Sequence, residues 1–196
     1  MILYTDTETT SIYPGKICQL SYLMQDGTGT KAKNLFFSVD YVEPSAQAVH
    51  GFSVEKLLEL SGGKRFYDYA EEIYSDFAAA GVIVGHNVSF DAGFLRAEFE
   101  RCGLGFDFGN LFCTMKKMTP VCKLPRNTSP GYKYPKLSEL CTFFSLTDTE
   151  IKCDVKRLFG AEAGFHDARF DTVALYLIAN RGMEKDYPIS ELKKYL

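Results

Sequence analysis

The chain has 196 residues, 46% apolar and 24% charged, which is the size and balance of one ordinary globular domain with a sizeable core. No run approaches the ~20 apolar residues of a membrane span, and no basic segment followed by an apolar signal core opens the chain, so a cytoplasmic protein is expected, with no membrane partner. The formal net charge of −3 argues against a protein that coats duplex nucleic acid, so any nucleic-acid contact should be local, short or helped by metal ions.

Taken in order, Met1 to Thr10 opens with a short apolar run of no helical period, a buried strand. Lys16 to Met24 and Ala32 to Val39 read as two more strands, the first ending in the turn signal Gln25-Asp26-Gly27, and the three form an antiparallel meander. Ser53 caps a helix over Val54–Leu60, which Gly62-Gly63 breaks. Apolar residues at Tyr69, Ile73, Phe77 and Ala80 predict a helix over 68–80, ended by Gly81. Val82-Ile83-Val84-Gly85 is a second buried strand. A helix follows over 92–102, and Leu111 to Met115 reads as a third parallel strand. Residues 136–144 read as helical. Residues 166–180 make the strongest helix, with a stripe of Ala168, Val173, Ala174, Leu177 and Ile178 and a stop at Gly182; residues 189–196 add a short last helix. The longest irregular stretch is Thr119 to Tyr134. Strands followed by strand–helix alternation give an α/β fold, a mixed sheet flanked by helices. Six scattered cysteines without a CxxC pair fit free thiols better than a zinc site or a disulfide framework.

The chemistry gathers at element boundaries. A strand has a side-chain period of two, so Asp6 and Glu8 project to one side. Two like charges there need compensation, and hard divalent cations such as Mg²⁺ or Mn²⁺ supply it through oxygen ligands. His86 ends the second buried strand and Asp91 begins the helix after it. His166 opens the best helix. Asp167 lies in its first turn, where the helix dipole favours an acid, and Asp171 lies four residues on, opposite the apolar stripe. Residues 108–138 hold Lys116, Lys117, Lys123, Arg126, Lys133 and Lys136 and no acid, which makes them a candidate phosphate track; a solvated loop would account for the same run.

The set Asp6-Thr-Glu8, His86-Asn87-Val-Ser-Phe90-Asp91 and His166-Asp-Ala168-Arg-Phe-Asp171 resembles the three exonuclease motifs of the DEDD superfamily, in its histidine-containing DEDDh (DnaQ-like) branch. That branch includes the proofreading epsilon subunit of bacterial DNA polymerase III, RNase T and oligoribonuclease. The likeness spans residues 2–181, and His50-Gly51, Cys113-Thr114-Met115 and Lys136-Leu137-Ser138-Glu139-Leu140 support it. Ser11 departs from it, standing where the pattern has glycine. The resemblance implies an RNase H-like fold, with a five-stranded sheet of three antiparallel strands followed by parallel ones, in a single exonuclease domain over 1–196. It also implies a metal-dependent 3′–5′ exonuclease that releases nucleoside 5′-monophosphates from the 3′ end of single-stranded DNA, in the service of repair or proofreading. Asp6, Glu8, Asp91 and Asp171 would hold two Mg²⁺ or Mn²⁺ ions, with Asp6, the deepest, bridging them, and His166 would be the general base. Thr9, Thr10 and Ile12 would line the pocket for the terminal nucleotide, His50 and Phe52 would touch its sugar or base, and Asn87 and Phe90 would contact substrate or brace Asp91.

Two alternatives stay open. An RNA-trimming exoribonuclease would use the same active-site residues, because the 2′-OH is read by pocket shape. A module that works chiefly as a DNA polymerase partner, or an inactive binder, is the other. The intact acids and His166 argue against inactivity, and no long polar tail that would dock a polymerase follows the last helix.

Overall fold

The computed structural model describes residues 1–12, 15–127 and 129–196. Five strands form one mixed sheet: β1 (Ile2–Thr9), β2 (Ile17–Asp26), β3 (Gly29–Phe36), β4 (Val82–Gly85) and β5 (Leu111–Cys113), in the order β3-β2-β1-β4-β5. β1 runs antiparallel to β2, and β2 to β3, while β4 and β5 add parallel strands on the other side of β1. This is the expected five-stranded arrangement. Among the described residues the helices are α1 (Pro44–His50), α2 (Val54–Ser61), α3 (Ala70–Ala78), α4 (Val88–Arg101), α5 (Thr114–Cys122), α6 (Leu137–Phe143), α7 (Asp148–Phe159) and α8 (Ala168–Glu184), followed by a 3₁₀ segment at Pro188–Tyr195.

The strand period of two sorts most of the core into two clusters, one on each face of the sheet, and a smaller third cluster forms around Cys18, Val39, Val42 and Leu57. Ile2, Tyr4, Leu23, Val82 and Val84 pack with Val173, Ala174 and Ile178 of α8 and with residues of α6 and α7. Leu3, Leu20, Tyr22 and Ile83 pack with Ile73 and Phe77 of α3 and with Leu95 and Phe99 of α4. The same alternation carries on to the end of β1. Asp6 and Glu8 continue the row of Ile2 and Tyr4 towards α8, and Thr5 and Thr7 continue the row of Leu3 towards α4.

Several expected boundaries move. β3 starts at Gly29 and ends at Phe36, so Val39 falls outside it and packs instead with Val42 and Leu57. Residues 111–115 make only a three-residue strand, after which the chain turns directly into α5, so the irregular stretch begins at Lys123. α4 starts at Val88, which places Asp91 in its first turn. The helix expected over 68–80 is a 3₁₀ turn, Phe66–Asp68, followed by α3. α1 and α7 lack the long apolar stripe that would have announced them: α1 buries only His50, and α7 only Ile151 and Val155. α8 runs through Gly182 to Glu184, because a glycine there lets Ile189 approach; a Cβ at 182 would lie 3.1 Å from the Ile189 side chain.

Gly85 ends β4 at a similarly close packing. A Cβ on it would meet Val88 Cβ at 2.8 Å, inside the turn that launches α4 and with it Asp91. Gly85→Ala is therefore expected to destabilise the fold by about 1–3 kcal/mol through overpacking, read as a lowered urea midpoint with an unchanged m-value.

Candidate active site

The carboxylate oxygens of Asp6, Glu8 and Asp171 lie within 4.8 Å of one another. Asp6 and Glu8 arrive on the same face of β1, and Asp171 comes from the first turn of α8, which packs on that face. Although Asp171 lies opposite the apolar stripe of its helix, it does not face open solvent, because β1 and α8 pack together there. Asp91 reaches the site from α4, across the sheet. Its Oδ1 accepts a 2.8 Å hydrogen bond from Thr7 Oγ1, the residue between Asp6 and Glu8 that faces α4. Asp91 lies outside the group of three, yet its charge weighs on both Asp6 and Glu8. Thr7 was not singled out in the sequence, although the same alternation that pairs Asp6 with Glu8 turns it towards Asp91.

None of the four acids has an ion-pair partner among the described residues. Burial and then the charges of Asp171, Asp91 and Glu8 hold the Asp6 carboxyl well above the usual range. Burial, followed by Asp171, Asp167 and Asp91, pushes Glu8 up to about 9. Burial raises Asp91 to about 7 against the lowering effect of Thr7, and raises Asp171 to about 7 against a hydrogen bond from the His166 backbone. Asp6 is not the most deeply buried acid. It keeps part of its surface open on the cleft, while Glu8 and Asp91 are buried. The reason is its place at the mouth between β1 and α8.

A cleft of about 660 Å³ opens above this group, lined by Asp6, His86, Lys136, Leu137, Ser138, Phe165, His166 and Asp171. His166 precedes α8 with φ at +62°, a left-handed backbone that is uncommon for histidine, and its N–H donates to Asp171 Oδ2 at 3.2 Å. Asp167 is the N-cap of α8, not a residue of its first turn, and it accepts from Arg169 N. The start of α8 is clamped by Gln19, which sits opposite Glu8 in the β1–β2 register and is fully buried. Gln19 Oε1 accepts from Ala168 N at 3.1 Å, and its Nε2 donates to Asp167 Oδ1 and Asn34 Oδ1 at 2.9 Å each. Arg169 holds the other side of Asp167 through Nε and Nη2. A lone glutamine on a strand carries no sequence signal of this role.

His86 ties two elements together. Pro135 O, 2.9 Å from Nε2, can only accept, so Nε2 donates to it; Nδ1 lies 3.1 Å from Thr114 Oγ1, whose hydroxyl donates to Gly85 O at 3.2 Å, and burial lowers the pKa of the ring. His50 is buried beside Thr9, donating from Nε2 to Thr9 O at 3.3 Å and accepting the Phe52 N–H on Nδ1. Its ring stacks on Phe52, and burial, then the nearby His166, lower its pKa. The hydroxyls of Thr9 and Thr10 are spent within the loop, on Ser11 O and on the Lys16 N–H. Ile12 is 78% exposed. Asn87 is an exposed N-cap of α4 in the left-handed conformation, and Phe90 packs against Phe94. Thus Asp6, His166 and Asp171 share the cleft, while Thr9, Thr10, His50, Phe52, Asn87 and Phe90 surround it without lining it. In the basic stretch, Lys117 pairs with Glu191 and Lys133 with Glu139, so these two charges are matched within the fold.

The family model described as Exonuclease (RNase_T) matches residues 3–150. Over 109 residues the chain is 33% identical to the DNA polymerase III epsilon subunit of Salmonella typhimurium and 31% identical to that of Escherichia coli K12; in each case 56% of this chain matches 42% of the relative. The chain thus spans less than half the length of these curated relatives. Among solved structures, E. coli Exonuclease I in complex with a dT13 oligonucleotide superposes with a TM-score of 0.68 at 18% identity, over 99% of this chain and 42% of that one. S. pombe Pop2p in its Mg²⁺- and Mn²⁺-bound form gives a TM-score of 0.65 at 11% identity, over 94% of this chain and 83% of that one. These structural likenesses carry the fold through α8, beyond the last residue of the family match. With that match spanning most of its length, the chain belongs to the RNase T exonuclease family, and its fold and motif order are those of the DnaQ-like 3′–5′ exonucleases.

Proposed function

We propose that this chain, as a single exonuclease domain, hydrolyses the last phosphodiester bond at the 3′ end of single-stranded DNA with the help of two Mg²⁺ or Mn²⁺ ions and releases nucleoside 5′-monophosphates. The observation that carries this reading is the trio Asp6, Glu8 and Asp171, whose oxygens gather within 4.8 Å with no basic side chain paired to them. The donor set is all oxygen, which suits hard cations. A second observation supports the fit. Ser21, opposite Asp6 in the β1–β2 register, has a buried hydroxyl without a hydrogen-bond partner among the described residues, a cost that an ion's coordinated shell would relieve.

Asp6, Glu8, Asp91 and Asp171 would hold the ions, since the charges of Asp171 and Asp91 bear on both Asp6 and Glu8. Bound there, the cations neutralise charge on the phosphate and on the departing oxygen. The other tasks fall to side chains. His166, on the cleft wall beside Asp171, accepts the proton of the attacking water. Its backbone N–H holds Asp171, so base and ligand are set by one turn of chain. Gln19 and Arg169 fix that turn from behind. The backbone around Thr9 and Thr10, with His50 and Phe52 behind it, would shape the pocket for the terminal nucleotide, and Asn87 and Phe90 would steady Asp91. Pop2p is described with Mg²⁺ and Mn²⁺ bound, and Exonuclease I with an oligothymidylate, which supports both halves of the reading. The epsilon relatives favour a second reading, in which the same activity serves a DNA polymerase.

End-labelled deoxy- and ribo-oligonucleotides with each cation test the activity. Stepwise loss of mononucleotides from the 3′ end of the deoxy strand is expected; preferential ribo cleavage would make this an exoribonuclease, and no release with any cation would refute a nuclease. Asp171→Asn should weaken Mn²⁺ binding at least about tenfold in calorimetry. His166→Ala should keep that affinity and lose about 10²–10⁴-fold in turnover. The reverse pattern would exchange the two roles.

Stability should depend on pH in a set direction. Free carboxyls ionise near ~4, whereas Glu8 titrates at about 9 and Asp91 and Asp171 at about 7. The native state therefore holds protons that the unfolded chain has lost. The stabilisation is complete below the unfolded values and is lost as pH rises through 7 and on towards 9. In EDTA the urea midpoint should fall between about pH 5 and about pH 9, and millimolar Mn²⁺ should raise it most at the alkaline end. A flat profile would remove the protonated cluster from the account.

A further inference from the structure

The floor of the cleft is acidic, yet its lining includes one cation and one exposed aromatic ring, Lys136 and Phe165. Lys136 is exposed, and no carboxylate among the described residues lies within 4.0 Å of its ammonium group. Lys117 and Lys133 of the same basic stretch are paired within the fold, whereas Lys116, Lys123 and Arg126, which like Lys136 make no ion pair among the described residues, do not line the cleft. The backbone of Lys136 is nevertheless fixed. Lys136 N donates to Glu139 Oε2 at 2.7 Å, and the carbonyl just before it, Pro135 O, is held by His86 at the end of β4. The root of the side chain is tied to the end of β4, while the charged head, near enough to act on Glu139, makes no close ion pair among the described residues.

Phe165 is 42% exposed, and its ring lies against the fully buried Phe170, with centroids 4.5 Å apart. It is a supported platform with one open side. Such a ring beside a cation is the pairing by which proteins hold single strands without reading sequence, the ring stacking on a base and the cation meeting the backbone. The electrostatics require something of this kind. Cations on the acidic floor neutralise the phosphate being cleaved. A further phosphate of the strand brought to the same cleft has only Lys136 among the lining residues to offset it.

We propose that Lys136 and Phe165 form the subsite for the nucleotide on the 5′ side of the cleaved bond, the ammonium meeting its phosphate and the ring stacking on its base. This rests on the exonuclease reading and adds to it a substrate requirement: the enzyme recognises a strand, beyond the single nucleotide it removes. Stacking tolerates any base, so the subsite imposes little sequence preference.

The test compares two substrates with Mn²⁺: oligothymidylate, and the p-nitrophenyl ester of thymidine 5′-monophosphate, which presents the cleaved phosphodiester but no nucleotide on its 5′ side. For Lys136→Gln and for Phe165→Ala, the loss in kcat/KM on the oligonucleotide should exceed the loss on the ester by about tenfold, mostly through KM. Lys136→Arg should recover most of the oligonucleotide activity. Lys136→Gln should also flatten the salt dependence of the oligonucleotide KM by about 0.7 in log–log slope, the contribution of one phosphate contact on a single strand. Equal losses on the two substrates, or no loss on either, would overturn the subsite while leaving the nuclease reading intact. A wild-type protein inert on both would remove that reading, and the subsite with it.

Discussion

Repulsion among Asp6, Glu8 and Asp171, drawn within 4.8 Å at the floor of the cleft, has to be relieved by protons or by cations, since none of these acids is paired with a basic side chain among the described residues. Elsewhere the chain matches its acids readily. Asp40 takes a two-pronged contact from Arg65, and Asp167, only four residues from Asp171, takes one from Arg169. The contrast is what gives the cluster its meaning. Leaving these carboxylates bare costs folding free energy that bound protons or an added cation return.

Much of the surrounding structure serves to keep that costly arrangement in place. β1 is the central strand, flanked by antiparallel β2 and parallel β4, so the backbone under Asp6 and Glu8 is held from both sides. Gln19 and Ser21, the β2 residues opposite Glu8 and Asp6, bind α8 to the sheet: Gln19 through its side chain to Ala168 and Asp167, and Ser21 through its carbonyl to Thr172 Oγ1. Further along α8, Tyr4 bonds Gln25, and Gln25 bonds Asn180. A helix fastened at several points along its length can present Asp171 against repulsion. The left-handed backbone of His166 is a local strain of the sort found where position matters more than comfort.

The fold was legible to the degree that periodicity reports it. β1, β4 and α8 were found because buried apolar runs and a helical stripe survive in the sequence, and the antiparallel-then-parallel order followed from the spacing of these elements. α1 and α7 were not found, because each buries too few side chains to print a stripe. The ends of β3 and β5 shifted because strand ends are fixed by the neighbour's register and not by the residue itself. The supposed stop at Gly182 failed for a related reason: that glycine answers a packing demand from Ile189, distant from any capping role. The basic stretch illustrates the limit for charge. Six cations in one stretch look alike in sequence, and only the fold separates those paired with Glu191 and Glu139 from the lysine that lines the cleft.

By itself the sequence offered Asp6, Glu8, Asp91, Asp171 and His166 as candidates for the chemistry, through residue types at strand tips and helix starts and through their resemblance, in that order, to the exonuclease motifs. Tertiary structure alone decided how they meet. It placed Asp171 against β1 and Asp91 across the sheet on Thr7, it made Gln19 a clamp, and it left Lys136 and Phe165 open in the cleft. The physical reason is that repulsion, burial and hydrogen bonding depend on distances of a few ångströms between residues up to 165 positions apart, such as Asp6 and Asp171, and no local pattern encodes such distances.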